Sequence, residues 1–534
     1  MSYCVLDRLL GIARETDRYL QQLIRWPELQ SRQNASWLLS RLEAEPGPKV
    51  TLGETSWAEP VAVPLSELLM AHGLVTGGSG SGKTRFGLLM LKTLIDLLPQ
   101  TRTMGFGVLD AKGDLYQGAL FLLQARLNEL AEHDSEAARE LRRRVIILDF
   151  ASRDPLSSYN ITARWPNTEP DFFAASRADL LFDLLPGGEE LSLSGGALLQ
   201  KLILLLSEFN LPISAAEELL HNEDLRRGLL AKSKNAALAA YFARQFPSVP
   251  RPTIEALRRR LDALFSSEGV RLSLAGGTTP DFRLAQDESK IVLINCFGQT
   301  ISRSVRRLLQ ALVVSDITQA VFSRRRRDNP FVWLFDEAQN CFLTPKLRDN
   351  MADLLTMSRS FGSFFLCFTQ NMTTAVQDAR LLRTLWTNMR WSFSMRGEPN
   401  DCAFLKPVLP VSGRKLRPQA DPFQEKSFYS IAEERTIEWD SIANLPDRVG
   451  WLWLRTRSAE ALHLKTQDLV TPEGQDLDEA TRPLCRDPSI GQRLSRKEYL
   501  RRISQRDREW LAEPEADLNE AFAGAYQRIR GGTK

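Results

Sequence analysis

The sequence is poor in residues that bind metals or form covalent cross-links, and it has no long apolar run. Only four histidines and six cysteines occur among its 534 residues, and no two cysteines form a CxxC pair. That composition argues against a zinc site and a disulfide framework. No stretch approaches the roughly 18 uninterrupted apolar residues of a spanning helix, and charged residues interrupt the N-terminal region where a signal peptide would lie. The sequence therefore predicts a cytoplasmic protein without a membrane span of its own.

Charge is balanced rather than biased toward one sign. Lys and Arg number 69 against 66 Asp and Glu, which leaves a formal charge of +3. This balance neither requires nor excludes nucleic acid as a partner, because a local basic channel can exist in a nearly neutral protein. The hydrophobic fraction of 43% and the charged fraction of 25% are ordinary for globular proteins, which excludes wholesale disorder and collagen-like or coiled-coil chains.

The apolar runs have the length and composition of strands that are buried on both faces, as in a parallel sheet. They cover 104–109, 145–150, 291–296, 331–335 and 364–368. Stretches with helical periodicity separate them, and this alternation predicts an α/β fold with a mostly parallel sheet.

Two further patterns predict the borders of that sheet. Apolar and polar residues alternate at 391–395, which indicates a half-exposed strand toward an edge. The runs Val449 to Arg455 and Ala461 to Lys465 predict a closing hairpin.

The composition of the chain changes at several points, and these changes predict its domains. The segment from Ala178 to about Phe265 is helical in pattern and too long for a loop, so it indicates an all-α insertion. The predicted segments are an N-terminal helical segment (1–48), the first part of an α/β core (49–175), an inserted all-α domain (176–284), the second part of the core (285–470) and a charged, partly helical tail (471–534).

A glycine-rich loop follows the apolar run at 72–76 and precedes an amphipathic helix. Its sequence fits the GxxxxGK[ST] phosphate-loop motif, also called Walker A. The matching residues are Gly77, Gly78, Ser79, Gly80, Ser81, Gly82, Lys83 and Thr84. Glycines let successive backbone N–H groups curl round a phosphate, and the helix N-terminus adds positive potential. Lys83 would reach the outer phosphates, and the Thr84 hydroxyl would ligate Mg²⁺.

Two acids at the end of the run FVWLFDE supply the partner element of such a site. Asp336 would hold the Mg²⁺ shell, and Glu337 would polarise the attacking water as general base. Gln370 follows the next strand, where a neutral amide can sense hydrolysis beside the γ-phosphate. The alternative for Gln370 is an ordinary polar strand end. A strand between the loop strand and the Asp-Glu strand points to motor ATPases.

The succession of these motifs resembles the HerA/FtsK superfamily of P-loop ATPases. The similar blocks are HGLVTGGSGSGKT, VLDAKGDL, SSYNIT, DESKIVLIN, LFDEAQN, SRSFGSFFLCFTQN and WTNMRWSF. Their order is most similar to the coupling ATPases of conjugation and type IV secretion, the TraG/TraD group. The resemblance covers roughly 60–470 and implies a RecA-like core that carries the all-α insertion.

The resemblance also implies an activity and partners. Relatives are homohexameric ATPases that use ATP and Mg²⁺ to drive single-stranded DNA, with its attached relaxase, toward a secretion channel. Arg359 lies where relatives insert an arginine into a neighbouring subunit's site, and the alternative is a surface arginine. The chain begins with a helical segment where anchored relatives have membrane helices, so any attachment to the inner membrane would run through partners.

Several other functions stay open at this point. A HerA-like translocase that works with a nuclease in repair or phage defence could act on duplex DNA. A secretion-assembly ATPase would act on protein, and a slow nucleotide-dependent scaffold would move nothing. Three arginine runs, at 142–144, 258–260 and 324–327, also invite a DNA-binding interpretation. A solvated face is favoured for each, because cations at a helix end complement the helix dipole.

Overall fold

The computed structural model describes residues 32–99, 101–185, 192–376, 378–413, 415–418 and 427–511. Most of the predicted N-terminal segment and the last part of the predicted tail therefore lie outside the described residues.

Eleven strands occur in the described residues. In chain order they are β1 (Lys49–Thr55), β2 (Pro60–Pro64), β3 (Gly73–Thr76), β4 (Gly105–Asp110), β5 (Val145–Asp149), β6 (Ile291–Asn295), β7 (Phe331–Phe335), β8 (Ser363–Thr369), β9 (Trp391–Met395), β10 (Val449–Leu454) and β11 (Leu462–Thr466).

The helices include many short ones. In chain order they are α1 (32–44), α2 (Leu65–Leu68), α3 (Lys83–Leu97), α4 (Asp114–His133), α5 (Ser135–Arg144), α6 (Pro170–Leu184), α7 (Leu193–Glu208), α8 (Ala216–His221), α9 (Glu223–Lys232), α10 (Ala236–Arg244), α11 (Arg251–Leu264), α12 (Glu268–Leu274), α13 (Phe282–Asp287), α14 (Arg303–Phe322), α15 (Pro345–Met357), α16 (Met372–Ala375), α17 (Ala379–Asn388), α18 (Ile431–Ser441), α19 (Gly474–Arg486) and α20 (Arg496–Leu511). The 3₁₀ helices are Ile213–Ala215, Phe246–Ser248, Ala338–Phe342, Ser358–Phe361, Pro399–Val408 and Ile442–Asn444.

The chain divides into two compact units. The first unit comprises Met1–Thr93 and Phe364–Val470, and the second comprises Leu94–Ser363 and Thr471–Lys534. Both units are built from strands and helices, so the predicted α/β class is confirmed. The five predicted domain ranges stay predictions.

In the first unit, the strands follow the order β2-β1-β11-β10-β9-β3-β8. Strand β3 is parallel to β8 and to β9, and its last residue, Thr76, lies opposite Thr369 and Ser394. Strands β10 and β11 are antiparallel, which confirms the closing hairpin. Because β3 has a partner on each side, the loop that follows it starts from a fixed position.

The prediction that 391–395 forms a half-exposed strand toward an edge is wrong. Strand β9 lies between β3 and β10, and all five of its residues are buried. Serine is small enough to pack in the interior, and the Thr76 hydroxyl donates to Ser394 Oγ at 2.8 Å. Alternating polarity therefore did not mean exposure here.

A buried carboxylate fastens the start of β9 to helix α2. Glu67 is 3% exposed and accepts from Arg390 Nε and Nη2, both at 3.1 Å. It also accepts from Arg457 Nε at 2.9 Å. This network joins α2, β9 and the turn after β10 within the first unit.

In the second unit, the parallel strands follow the order β7-β4-β6-β5. Every residue of β4, β6 and β7 is buried, as predicted for strands covered on both faces. A polar residue lies at the carboxyl end of each of these four strands. Strands β4, β5 and β6 end in Asp110, Asp149 and Asn295, and Asp336 follows β7.

The described residues between β5 and β6 form helices α6 to α13 and turns, without a strand; that they form a separate inserted domain stays a prediction. A buried network ties the start of this segment to α14. Asp316 accepts from Tyr159 Oη and from Trp165 Nε1, each at 2.5 Å, and it pairs with Arg177 of α6. The predicted tail contributes α19 and α20 to this unit, where Tyr499 Oη donates to Leu272 O at 2.8 Å.

All three arginine runs are only partly solvated, in contrast to the prediction, because Arg144, Arg260 and Arg324 are buried. Arg144 is buried, and its guanidinium donates to the carbonyls of Ser289 at 3.0 Å and Leu98 at 3.3 Å. Arg324 is buried as well, and it donates to Gly362 O at 2.8 Å. Each guanidinium therefore donates to backbone carbonyls beside the start of the buried strands.

Among the described residues, no single helix has both the length and the apolar content of a membrane span. The helical segments Leu193–Glu208 and Ile213–His221, which meet at a bend of 119°, have that length and apolar content only when they are taken together.

Candidate functional site

The phosphate-loop sequence lies between β3 and α3 in the first unit, in the predicted strand, loop and helix order. Gly77 N donates to Thr369 O of β8 at 3.2 Å, and Gly78 N donates to Arg396 O at 2.6 Å. The Arg448 N–H donates to Ser81 O at 2.8 Å. The loop is thus attached to the last residue of β8, to the residue that follows β9 and to the one that precedes β10.

Two glycines of the loop adopt backbone angles that other residues disfavour. Gly80 has φ +72° and Gly82 has φ +105°. A Cβ added to Gly82 would lie 2.9 Å from Cγ of Arg448 and 3.0 Å from Cε of Met395. The curl of the loop therefore requires glycine at position 82 for conformation and for space.

Lys83 begins α3 and is buried, with 8% exposure. Its ammonium donates to the carbonyls of Gly77 at 2.6 Å and Gly78 at 2.7 Å. The cation therefore lies over the loop itself, where the resemblance expects it to meet phosphate. Thr84, one residue further, is partly exposed.

Gln370 follows β8 directly and is partly exposed. The residue before it, Thr369, bonds to the first glycine of the loop, so Gln370 belongs to the segment adjoining the loop. The segment beyond is anchored, because the buried Asp401 carboxylate accepts from Thr373 N at 2.8 Å and from Thr373 Oγ1 at 2.6 Å.

The predicted acids follow β7 in the second unit. Asp336 N donates to Leu109 O of β4 at 2.9 Å, and Asp336 and Glu337 are 8% and 9% exposed. Burial raises the pKa of the Asp336 carboxyl well above its usual range, and the charges of Asp110 and Glu337 raise it further. A cation in contact with Asp336 would oppose both effects.

Glu337 is held at its backbone and at its side chain. Its φ of +52° is left-handed, which is uncommon for a residue other than glycine, asparagine or aspartate. Its Oε1 pairs with Lys112 Nζ, and its Oε2 accepts from Gln339 Nε2. Strain of this kind occurs often at functional sites.

Arg359 lies in the 3₁₀ helix Ser358–Phe361 of the second unit and is exposed. Backbone hydrogen bonds of Gly362 hold the turn that carries it. Gly362 N donates to Arg359 O at 3.1 Å, and Gly362 O accepts from Phe331 N at 2.9 Å. An exposed guanidinium on an anchored turn is compatible with a role in trans and with a plain surface position.

The predicted site residues fall in both units. Residues 77–84 and Gln370 belong to the first unit, whereas Asp336, Glu337 and Arg359 belong to the second. The sequence interpretation did not single out Asp110 and Lys112, although VLDAKGDL contains them. An apolar run that ends in aspartate was the available signal, because the carboxyl ends of parallel strands share one edge.

No protein-family model matches the sequence, and no curated protein matches it significantly. Among solved structures, the chain is similar to the bacterial conjugative coupling protein TrwBdeltaN70 with sulphate, at 16% identity over 82% of this chain and 94% of that chain, with a TM-score of 0.49. The same four values hold for TrwB in complex with ADP and Mg²⁺. VirB4 of Thermoanaerobacter pseudethanolicus is 13% identical over 80% of this chain and 98% of that chain, with a TM-score of 0.49. At these identities and TM-scores, similarity of fold does not establish a shared activity or assembly.

Proposed function

We propose that this chain is a Mg²⁺-dependent ATPase that moves DNA as a coupling protein in conjugation or type IV secretion. The proposal that the chain binds a nucleotide rests on the conformation of the loop at 77–84. Its remaining N–H groups, its left-handed glycines and the Lys83 ammonium would bind phosphate as an element of phosphate-loop type at the start of α3.

The residues present suit Mg²⁺ bound together with a nucleotide. The described residues contain no group of three or more His, Cys, Asp or Glu that could hold a metal alone. Nucleotide-bound Mg²⁺ needs few protein ligands, since phosphates and water complete its shell. Thr84 and Asp336 would hold it, and the ion would neutralise charge on the phosphate oxygens. The crowding of Asp336 by Asp110 and Glu337 favours a cation at this carboxylate.

In the proposed reaction Glu337 polarises water as general base, and Lys83 binds the outer phosphates. Gln370 senses the terminal phosphate from the end of β8. Arg359 acts in the site of a neighbouring subunit, which requires a ring; we take a homohexamer as the assembly. TrwB structures in complex with ADP and Mg²⁺ and with a non-hydrolysable ATP analogue contain the same class of ligand.

The DNA part of the proposal rests on the succession of sequence motifs. We take single-stranded DNA as the substrate and duplex as the alternative, with a relaxase and channel proteins as partners. A partner nuclease would instead indicate the HerA-like alternative.

ATP turnover of the purified chain, with and without DNA, tests the proposal. We expect Lys83→Ala to lose nucleotide affinity, and Glu337→Gln to retain ATP with almost no turnover. We expect DNA to stimulate turnover and salt to reduce the stimulation steeply, because phosphate contacts release counterions. Full turnover in Glu337→Gln would remove Glu337 from its role. Turnover that ignores every DNA but rises with a protein client would favour the secretion-assembly function.

A further inference from the structure

The turn after β4 is organised by a buried carboxylate. Asp110 is fully buried, and its Oδ1 accepts from Lys112 N at 2.7 Å while its Oδ2 accepts from Tyr116 N at 2.8 Å. Gly113 has φ +94°, and a Cβ there would lie 3.0 Å from the Phe297 ring. The backbone from 110 to 116 is therefore fixed at both ends of the turn.

This turn determines where the Lys112 side chain begins. Its Nζ reaches Glu337 Oε1 and forms an ion pair, in which the Lys112 side chain is 43% exposed and the Glu337 side chain 11%. Lysine is a flexible residue, but here its backbone N–H is tied to a buried acid. The ion pair thus connects the end of β4 to the residue after β7.

The backbone around Glu337 is also fixed from α14. Gln310 Nε2 donates to Asp336 O at 3.2 Å, and Asn340 Nδ2 donates to Gln310 Oε1 at 3.1 Å. Asn340 N donates to Glu337 O at 2.9 Å. These bonds hold the main chain, but they leave the direction of the carboxylate to its side-chain partners.

Two buried acids lie near Glu337. Asp110 and Asp336 lie at the ends of the neighbouring strands β4 and β7, and a negative charge on either would repel the Glu337 carboxylate. The Lys112 ammonium offsets that repulsion from one oxygen of Glu337, and the Gln339 amide holds the other. Removal of the ammonium would leave the repulsion from these acids unopposed at that oxygen.

We propose that Lys112 is a positioning residue, which the Asp110 turn presents to Glu337 so that its carboxylate keeps the direction needed to polarise water. The inference rests on the proposed ATPase function. It assigns Lys112 no contact with the nucleotide. A base that is misplaced by about 1 Å can cost ~10²-fold in rate, so the expected loss appears in kcat.

The contact itself is tested on nucleotide-free, full-length protein. A water-soluble carbodiimide activates a carboxylate and joins it to an amine in contact, and peptide mass spectrometry locates the amide. We expect a cross-link between Lys112 and Glu337, as well as one in the control pair Lys290 and Glu288, whose Nζ and Oε2 lie 3.2 Å apart. A control cross-link without the 112–337 cross-link overturns the proposal.

The consequence is tested by turnover. We expect Lys112→Met to lower kcat by about 10- to 100-fold, with KM for ATP and Kd for ADP within about twofold of wild type. Lys112→Arg should recover most of the loss, and Lys290→Met, the matched control, should lose nothing. In the Glu337→Gln background, Lys112→Met should lower kcat no further, because the two residues act as a unit.

Contrary outcomes are distinguishable. If Glu337→Gln is inactive but Lys112→Met keeps its kcat, only the positioning role fails. If Lys112→Met weakens ADP binding as much as it lowers kcat, Lys112 serves the fold or the nucleotide, and the inference is overturned. If Glu337→Gln is fully active, the proposed base and the positioning role fall together.

Discussion

The requirement for glycine at position 82 can be measured against a second glycine of the same unit. Gly82 and Gly47 have nearly equal φ angles, +105° and +102°. An added Cβ meets nothing within 4 Å at Gly47, whereas at Gly82 it lies 2.9 Å from Cγ and 3.2 Å from Cα of Arg448. Alanine at both positions therefore has a similarly disfavoured φ but a different steric cost.

The magnitudes follow from this comparison. Strain in a disfavoured backbone region costs about 1–3 kcal/mol, and both variants bear it. Overpacking adds about 1–3 kcal/mol, and only Gly82→Ala bears this term because the Arg448 backbone cannot move aside easily. The lower entropy of unfolded alanine affects both variants alike. We expect Gly82→Ala to lower the free energy of unfolding by about 1–3 kcal/mol more than Gly47→Ala.

Nucleotide affinity supplies the functional arm of the assay. A displaced phosphate loop presents its N–H groups in the wrong directions, and each tenfold loss of affinity corresponds to about 1.4 kcal/mol. We expect at least a tenfold loss for ATP in Gly82→Ala and an unchanged affinity in Gly47→Ala. Calorimetric titration and denaturant midpoints measure the two effects. Equal stability and equal affinity in both variants would refute the steric argument.

Three further outcomes are expected. Burial raises the pKa of Asp336 in the folded state, so folding binds a proton at this carboxylate. The free energy of unfolding therefore falls as pH rises above the pKa that Asp336 has in the unfolded chain. Asp336→Asn should be more stable at neutral pH, with a flatter dependence of the free energy of unfolding on pH, yet inactive. Glu67→Ala should lower the free energy of unfolding by about 2 kcal/mol or more, because it removes the buried carboxylate that Arg390 and Arg457 share and leaves Arg457 only Glu45, whereas Glu223→Ala in an exposed helix pair should change it by under about 0.5 kcal/mol. Arg359→Ala and Glu337→Gln, each inactive, should regain turnover when mixed, because a mixed interface can pair an intact arginine with an intact base; co-assembly that restores nothing would leave Arg359 a surface residue.

Local signals predicted the elements that local chemistry determines. Glycines 80 and 82 must adopt positive φ, Lys83 must follow them, and an apolar run must precede them, so the loop could be read from residues 72–84 alone. The buried strands were equally visible, because strands covered on both faces are continuously apolar. Their predicted starts and ends differ from the structure by about one residue, within ordinary boundary disagreement.

Tertiary surroundings decided the features that the sequence did not predict. Strand β9 reads as amphipathic, yet its two serines are buried because β3 and β10 lie on either side of it. Arg144 and Arg324 read as solvated, yet each satisfies carbonyls from segments far away in sequence. Ser394, Arg144 and Arg324 each bond to a group that is distant in sequence, and single-sequence periodicity contains no information about such partners.

The difference between Lys83 and Lys112 shows the same limit at the site. Lys83 lies in a motif whose spacing fixes its position relative to the loop carbonyls, so its role could be stated before any coordinates. Lys112 lies 225 residues (337 − 112) from the glutamate that it contacts, and nothing in AKGD specifies that approach. Its direction depends on a carboxylate, Asp110, whose burial is itself a property of the assembled sheet. A group that orients a reactive side chain is therefore harder to predict than the reactive side chain itself. Lys83 follows from one local motif, whereas Lys112 follows only from two tertiary features, its contact with Glu337 and the burial of Asp110.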